Sequence, residues 1–192
     1  MKRISLLAAT LVLLTGCGTY NDIVARDEGV TKAAADVEAQ LQRRSDLVPG
    51  LIASVQKVAD QEKDVLTAVT EARARASQMQ FSGDVLTDPN AMKAFRENVA
   101  ALRGALSRLL VTVEKYPDLK SSEAFMSFNA QLEGTENRIA VARTRYNEAV
   151  AAYNTRIRQI PGNLLAGWFD FKPKVAFEAD EAAKTAPKVE FR

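Results

Sequence analysis

Residues 88–117 read DPNAMKAFRENVAALRGALSRLLVTVEKYP. Met92, Phe95, Val99, Leu102, Leu106, Leu109, Val113 and Tyr116 follow one another at alternating steps of three and four without a miss. A helix of 3.6 residues per turn gathers such positions on one face, so this is the seam of a helix packed along its whole length. Asp88 is placed as N-cap. Pro89 takes the first helical position, where its missing N–H is not needed. Tyr116-Pro117 ends the segment.

The following segment repeats the logic. Phe125, Leu132, Ile139, Tyr146, Tyr153 and Ile160 recur every seven residues, with Phe128, Ala142 and Ala149 at alternate positions. Asp118 or Ser121 is expected to cap it, and Pro161-Gly162 to stop it. Such a helix would span roughly 60 Å. Upstream, Val48, Leu51, Val55, Val58, Val65, Val69, Ala72 and Met79 form the seam of a segment from about Leu47 to Met79, with Glu62 at a seam position. The first segment, about Tyr20 to Arg44, carries Tyr20, Ile23, Val30, Ala34, Val37 and Leu41. Pro49 disfavours helix just before itself and suits a first turn, so Asp46 is the expected N-cap of a second helix. The alternative is one long helix kinked at Pro49.

Glycine and proline are scarce before residue 161, and residues that favour helix dominate. The expected fold is all-α, an antiparallel up-and-down four-helix bundle with an irregular C-terminal tail. An extended two-helix coiled coil fits less well, because several seams are wider than a strict a/d stripe. The tail from Asn163 gathers the only Trp with two Phe in Leu164-Leu165-Ala166-Gly167-Trp168-Phe169-Asp170-Phe171. Two pieces expected to be extended, Val175-Ala176-Phe177 and Val189-Glu190-Phe191, follow. The tail reads as a flap closing one end of the bundle or as a docking or membrane-interface segment.

At the other end, Lys2-Arg3 precedes an apolar run, Ile4 to Leu14, that closes on Leu14-Thr15-Gly16-Cys17. The positive start, the short apolar core and the small residues describe a secretory signal. The run is shorter than the roughly 20 residues of a spanning helix. Leu-Thr-Gly-Cys resembles the bacterial lipobox, whose cysteine receives diacylglycerol and becomes the new N-terminus. Residues 1–16 then form a lipoprotein signal peptide, 17–162 the bundle and 163–192 the tail. The protein would face the periplasm from the cell envelope, and Gly18 after the cysteine favours the outer membrane in a Gram-negative host. Only Gly18 and Thr19 separate Cys17 from the first helix, so almost no leash is expected.

Composition excludes several chemistries. The chain has 26 Lys and Arg against 24 Asp and Glu, and the signal takes Lys2 and Arg3, leaving 24 against 24. A balanced charge speaks against nucleic acid as partner and against a polybasic grip on anionic lipid. There is no histidine and one cysteine. That removes Cys/His zinc sites, Ser-His-Asp and Cys-His nucleophile systems, and internal disulfides. No cofactor or metal is expected, and no enzymatic activity. Glu62 with Glu136 is the one carboxylate pair to consider.

One polar line is ordered. Glu136, Arg143, Asn147 and Asn154 stand at offsets 0, 7, 11 and 18 on the last long helix. These fall within about 20° of a common line, and the apolar seam lies roughly 80° away. The line sits at the boundary between core and water. Arg43, Arg44 and Glu62 on the first two segments are its expected counterparts. It reads as an interhelical network that fixes register, as a partner-binding surface, or as a solvated face.

Together these pieces resemble the LemA family. The matching stretches are Tyr20-Asn21, Leu41-Gln42-Arg43-Arg44-Ser45-Asp46-Leu47-Val48-Pro49, Gln61-Glu62, Glu71-Ala72-Arg73 and Tyr116-Pro117-Asp118-Leu119-Lys120. Glu136-Asn137-Arg138-Ile139-Ala140-Val141-Ala142-Arg143, Tyr146-Asn147, Tyr153-Asn154 and Pro161-Gly162-Asn163 complete the set. The resemblance implies a four-helix bundle held to a membrane by its N-terminus, without enzymatic activity. It also implies work beside other envelope proteins, including membrane metallopeptidases of a quality-control system. The expected role is a lipid-anchored scaffold or adaptor for another envelope protein; a ligand- or lipid-handling bundle is the alternative. The chain departs from the family pattern in its lipobox, at Gly50, where Asn is usual, and at Gln61, where His is usual.

Overall fold

The stretch with the regular 3–4 seam is a helix from Pro89 to Val113. Asn90 N–H donates to the Asp88 carboxylate at 2.9 Å as its N-cap bond. Every seam position from Met92 to Val113 is buried, and Tyr116 just beyond is half-buried. A computed structural model describes residues 2–55 and 62–177, with side chains from residue 18 onward. The Cys17 side chain, Val58, Gln61 and the extended piece at residues 189–191 therefore lie outside what is described.

The described residues are helical apart from connections and the non-helical stretch 171–177, with no strand among them. In chain order the helices are α1 Lys2–Val55, α2 Lys63–Ser77, α3 Pro89–Val113, α4 Pro117–Lys120, α5 Glu123–Arg158 and α6 Gly162–Phe169; a single 3₁₀ turn, Gly83–Leu86, precedes α3. The expected break between Arg44 and Leu47 does not occur: α1 runs through Pro49 to Val55. Proline inside a helix orphans the carbonyl four residues back, here that of Ser45. Arg73 on α2 supplies the missing donor, its Nε reaching Ser45 O at 3.0 Å. Beside it the hydroxyls of Ser45 and Ser77 are 3.2 Å apart. The long seam read for one second helix is thus divided between the end of α1 (Val48, Leu51, Val55) and α2 (Val69, Ala72), all buried.

Three further boundaries differ from expectation. Ser122, rather than Asp118 or Ser121, caps α5, accepting from Phe125 N–H at 3.3 Å. Residues 117–120 form a helical turn of their own. Ile160, read as the last seam position, lies beyond the end of α5 and is 81% exposed; Ile157 takes the core place. The tail is not irregular from its start, because Gly162–Phe169 is helical. Gly162 is buried there against the Arg156 carbonyl, with no room for a Cβ.

Two apolar clusters fill the interior. The lower one joins Ile23, Val30 and Val37 of α1, Met92, Phe95 and Val99 of α3, and Ala142, Tyr146, Val150, Tyr153 and Ile157 of α5. The upper one joins Val48, Leu51 and Val55, then Leu102 to Val113, and Phe125, Phe128 and Leu132, with Val69 and Ala72 of α2. The Ile23–Val37 part of α1 thus meets the start of α3 and the end of α5. α2 covers the upper cluster, packing on α3 and α1. Over the lower cluster the cover is Phe81 and Leu86 from the α2–α3 connection, together with residues 171–177. Phe81 stacks on Phe95 (centroids 4.7 Å) and tilts against Tyr146 (4.9 Å).

Candidate interaction stripe on the long helix

The four residues of the polar line lead to two different places. Glu136 meets the first helix, at Arg44. That guanidinium is 1% exposed and lies near the junction of the two apolar clusters. Its Nη1 donates to Glu136 Oε1 at 3.3 Å and its Nη2 to the Val99 carbonyl of α3 at 3.1 Å. One side chain thereby links α1, α3 and α5. Burial pushes the Arg44 guanidinium below its ordinary pKa, while the Glu136 carboxylate acts to hold it up. Arg43, its neighbour, is exposed. Glu62 is not on the seam of a helix. It precedes α2 and accepts from Tyr116 OH at 3.3 Å, so it does not join the line.

Arg143, Asn147 and Asn154 turn instead to the chain's own C-terminal stretch. The Asn147 amide donates to the Phe177 carbonyl (2.9 Å) and accepts from the Phe177 N–H (2.7 Å). Asn154 treats Lys174 in the same way, both bonds at 2.8 Å. Tyr146 OH donates to Val175 O at 2.8 Å, and Tyr153 OH to Lys172 O at 3.1 Å. The Arg143 guanidinium lies 4.2 Å from the Phe177 ring centroid.

The spacing explains the pairing. Tyr146-Asn147 and Tyr153-Asn154 are one heptad apart, about 10.5 Å along the helix. Their targets are three residues apart, and three extended residues cover about 10 Å. Residues 171–177 are therefore a strap running antiparallel to α5, read two rungs at a time through its backbone. Val175 N–H closes the other edge on Leu86 O at 2.8 Å, and Lys174 Nζ pairs with Asp27 of α1 at 2.7 Å.

Electrostatics follow from this enclosure. Burial raises the Tyr153 hydroxyl to about 12, with the Asp27 charge adding to it. Burial raises Tyr146 as well. One turn before Arg26 on α1, Asp22 accepts from Arg156 Nε, and that bond, helped by Arg26 against a partial desolvation, holds the Asp22 carboxyl below its usual value.

Sequence reasoning found the line but not its target. Tyr146 and Tyr153 lie on the apolar seam, and no pattern in the sequence marks Ser45, Arg73, Asp27 or Lys174. The signal present was the repeat of Tyr-Asn at a spacing of seven. Chemically the arrangement grips a backbone and places no nucleophile or paired acid and base together. Among the described residues no group of acidic, Cys or His side chains is arranged to hold a metal ion.

The described residues thus form helices, with a continuous first helix and a Tyr-Asn ladder on the last long one. The LemA family profile covers residues 33–191, and the chain belongs to that family. Among characterised relatives it is 26% identical to magnetosome protein MamQ 2 of Paramagnetospirillum magneticum, over 95% of this chain and 73% of that one. It is likewise 26% identical to magnetosome protein MamQ of Magnetospirillum gryphiswaldense, over 96% and 74%. It is 24% identical to protein LemA of Metamycoplasma hominis, over 85% and 71%.

Proposed function

We propose that this protein is a lipid-anchored, non-enzymatic scaffold of the cell envelope that holds another envelope protein at a fixed height above the membrane. One observation carries the reading: from Cys17, the expected mature N-terminus, α1 continues unbroken to Val55. The helix that bears the lipobox cysteine is the same helix that supplies Ile23, Val30, Val37, Val48 and Leu51 to the core. A tether continuous with the core transmits orientation as well as position. From Cys17 to Val55 it rises about 57 Å. The directions of α1, α3 and α5, with α2 against α1 and α3, fit an up-and-down bundle standing on that anchor.

The interior supports a scaffold over a ligand-handling bundle. Drug-sized ligands occupy cavities of about 300–1,000 Å³. Here Tyr146, Tyr153, Phe81 and Phe95 fill the centre of the lower half. A cleft between α1, α2 and α3 is about 250 Å³ and includes Gln42, Arg44, Ser45 and Ser77 in its lining, and clefts of about 400–480 Å³ elsewhere are shallower grooves on the surface. Glu62 and Glu136 are engaged at separate sites, one by Tyr116 and one by Arg44, which speaks against a paired-carboxylate hydrolase.

Two measurements test the proposal. Metabolic labelling with a fatty acid should mark the wild type and not Cys17→Ser. Photo-crosslinking residues placed at Val111 and Met126, exposed on the upper half, should yield a discrete adduct with one envelope protein in living cells. Adducts with this chain alone would overturn the scaffold role. A membrane metallopeptidase in the adduct would make the protein its accessory factor.

A further inference from the structure

Seven large apolar side chains are strongly exposed among the described residues, and four of them fall within ten consecutive positions: Ile160, Leu164, Trp168 and Phe169. The other three, Val111, Met126 and Val141, are scattered over α3 and α5. Leu164 and Trp168 are one turn apart on α6. The opposite face of that helix, Leu165 and Ala166, packs on the lower apolar cluster. From Gly162 to Phe169 there is no charged residue. α6 is therefore apolar on both faces, with a solvent face of Leu and Trp flanked by Ile160 and Phe169. An apolar group of this kind marks a contact surface.

Its place in the fold says which contact. The Tyr20 ring lies 4.8 Å from the Phe169 ring and 5.7 Å from the Phe171 ring. Tyr20 is three residues after Cys17, about 4.5 Å of helical rise. On the lipoprotein reading Cys17 is the mature N-terminus, so the lipid sits at this same end of the helix. The patch thus adjoins the point where the anchor leaves the bundle. Its composition, a Trp and a Phe with Leu and Ile, with exposed Arg158, Asn163 and the Asp170–Lys172 ion pair close by in the chain, suits the boundary between headgroups and acyl chains.

We infer that the Ile160–Phe169 patch is a second, non-covalent membrane contact, which inserts into the bilayer interface beside the N-terminal anchor and holds the bundle upright. The inference rests on the anchoring reading above. Two points of attachment fix an orientation where a single tether would allow tilting.

Trp168 is the only tryptophan and is 80% exposed in the protein itself, so it reports directly. The lipidated mature chain, residues 17–192, is reconstituted into phosphatidylethanolamine/phosphatidylglycerol vesicles, with and without lipids brominated at shallow acyl positions, about 5–10 Å into the interface. Expected are co-sedimentation, a blue shift of Trp168 emission, loss of acrylamide quenching and gain of bromine quenching. The double variant Ile160→Glu/Leu164→Glu, at exposed positions, should melt as the wild type does and still co-sediment, yet lose the shift and the bromine quenching. Water-like emission in a wild-type chain that co-sediments overturns the membrane contact and leaves anchoring standing. A chain that fails to co-sediment overturns both. A photo-crosslinker at Leu164 that captures protein in place of lipid in native membranes also overturns it and marks the patch as a protein-docking surface.

Discussion

The upper and lower halves of the molecule share α1, α3 and α5 and differ in what closes the remaining side. In the upper half it is α2, a helix that satisfies its own backbone and contributes Val69 and Ala72 to the core. In the lower half it is a connection and an extended strap, whose backbone must find partners elsewhere. Tyr146, Asn147, Tyr153 and Asn154 provide six side-chain hydrogen bonds for it. A helix wall is held by apolar fit and tolerates many sequences of the right period. A strap wall depends on a few polar side chains at fixed spacing. Between the halves Arg44 ties three helices together, and beside it Arg73 makes good the carbonyl that Pro49 orphans.

Perturbations of different size break or sharpen this contrast. Leu106→Asp puts a charge at a position 3% exposed in the upper core. It should unfold the whole chain, a loss above about 4 kcal/mol, since an unpaired buried charge is among the costliest changes. Near-native melting would show that the upper wall is not the close-packed one. Arg44→Ala removes the link between the halves and should cost about 3 kcal/mol, judged by denaturant midpoint. The partial exposure of Glu136 keeps this at the low end for a broken ion pair.

The double variant Asn147→Leu/Asn154→Leu should lose about 2–4 kcal/mol, at about 1 kcal/mol for each of four bonds removed. Its signature is local: proteolysis should begin in residues 171–177 while α2 stays protected. Arg73→Ala should cost about 1 kcal/mol, and less in a Pro49→Ala background, where a backbone N–H can return to Ser45 O. Equal cost in both backgrounds would separate Arg73 from the proline. Finally, alkaline pH should act on the strap before the upper half. The folded state favours the neutral phenols, so their contribution is complete below about 10, the unfolded tyrosine value. For Tyr153 it is lost as pH climbs from there through about 12. A pH titration followed by near-ultraviolet circular dichroism should show an early step near the top of that range, absent from Tyr153→Phe.

Much of this was legible in the sequence where the cause is local. α3 was readable end to end because its cap, its proline and its seam all lie within residues 88–117. The break between α1 and α2 was not. Pro49 is a strong local stop signal, and what overrules it, the Arg73 bond to Ser45, comes from a segment 28 residues away. Ile160 was misplaced because the heptad continues in the sequence past the point where the helix ends. The polar line is visible as an ordered stripe, and of its three expected counterparts, Arg43, Arg44 and Glu62, Arg44 meets Glu136. Its other target was not visible, since the Asn and Tyr side chains grip carbonyls and N–H groups that every residue carries. A ligand recognised by its backbone leaves no mark in its own side chains.

Amide hydrogen exchange resolved by residue tests the strap most directly. The N–H groups of Lys174, Val175 and Phe177 donate to Asn154, Leu86 and Asn147. They should exchange slowly in the intact protein. In Asn147→Leu/Asn154→Leu the Lys174 and Phe177 amides should become fast while Val69 and Ala72 of α2 are unchanged. If those amides exchange in the wild type as fast as in a free peptide, the lower half is not closed by the strap, and the contrast between the two walls fails.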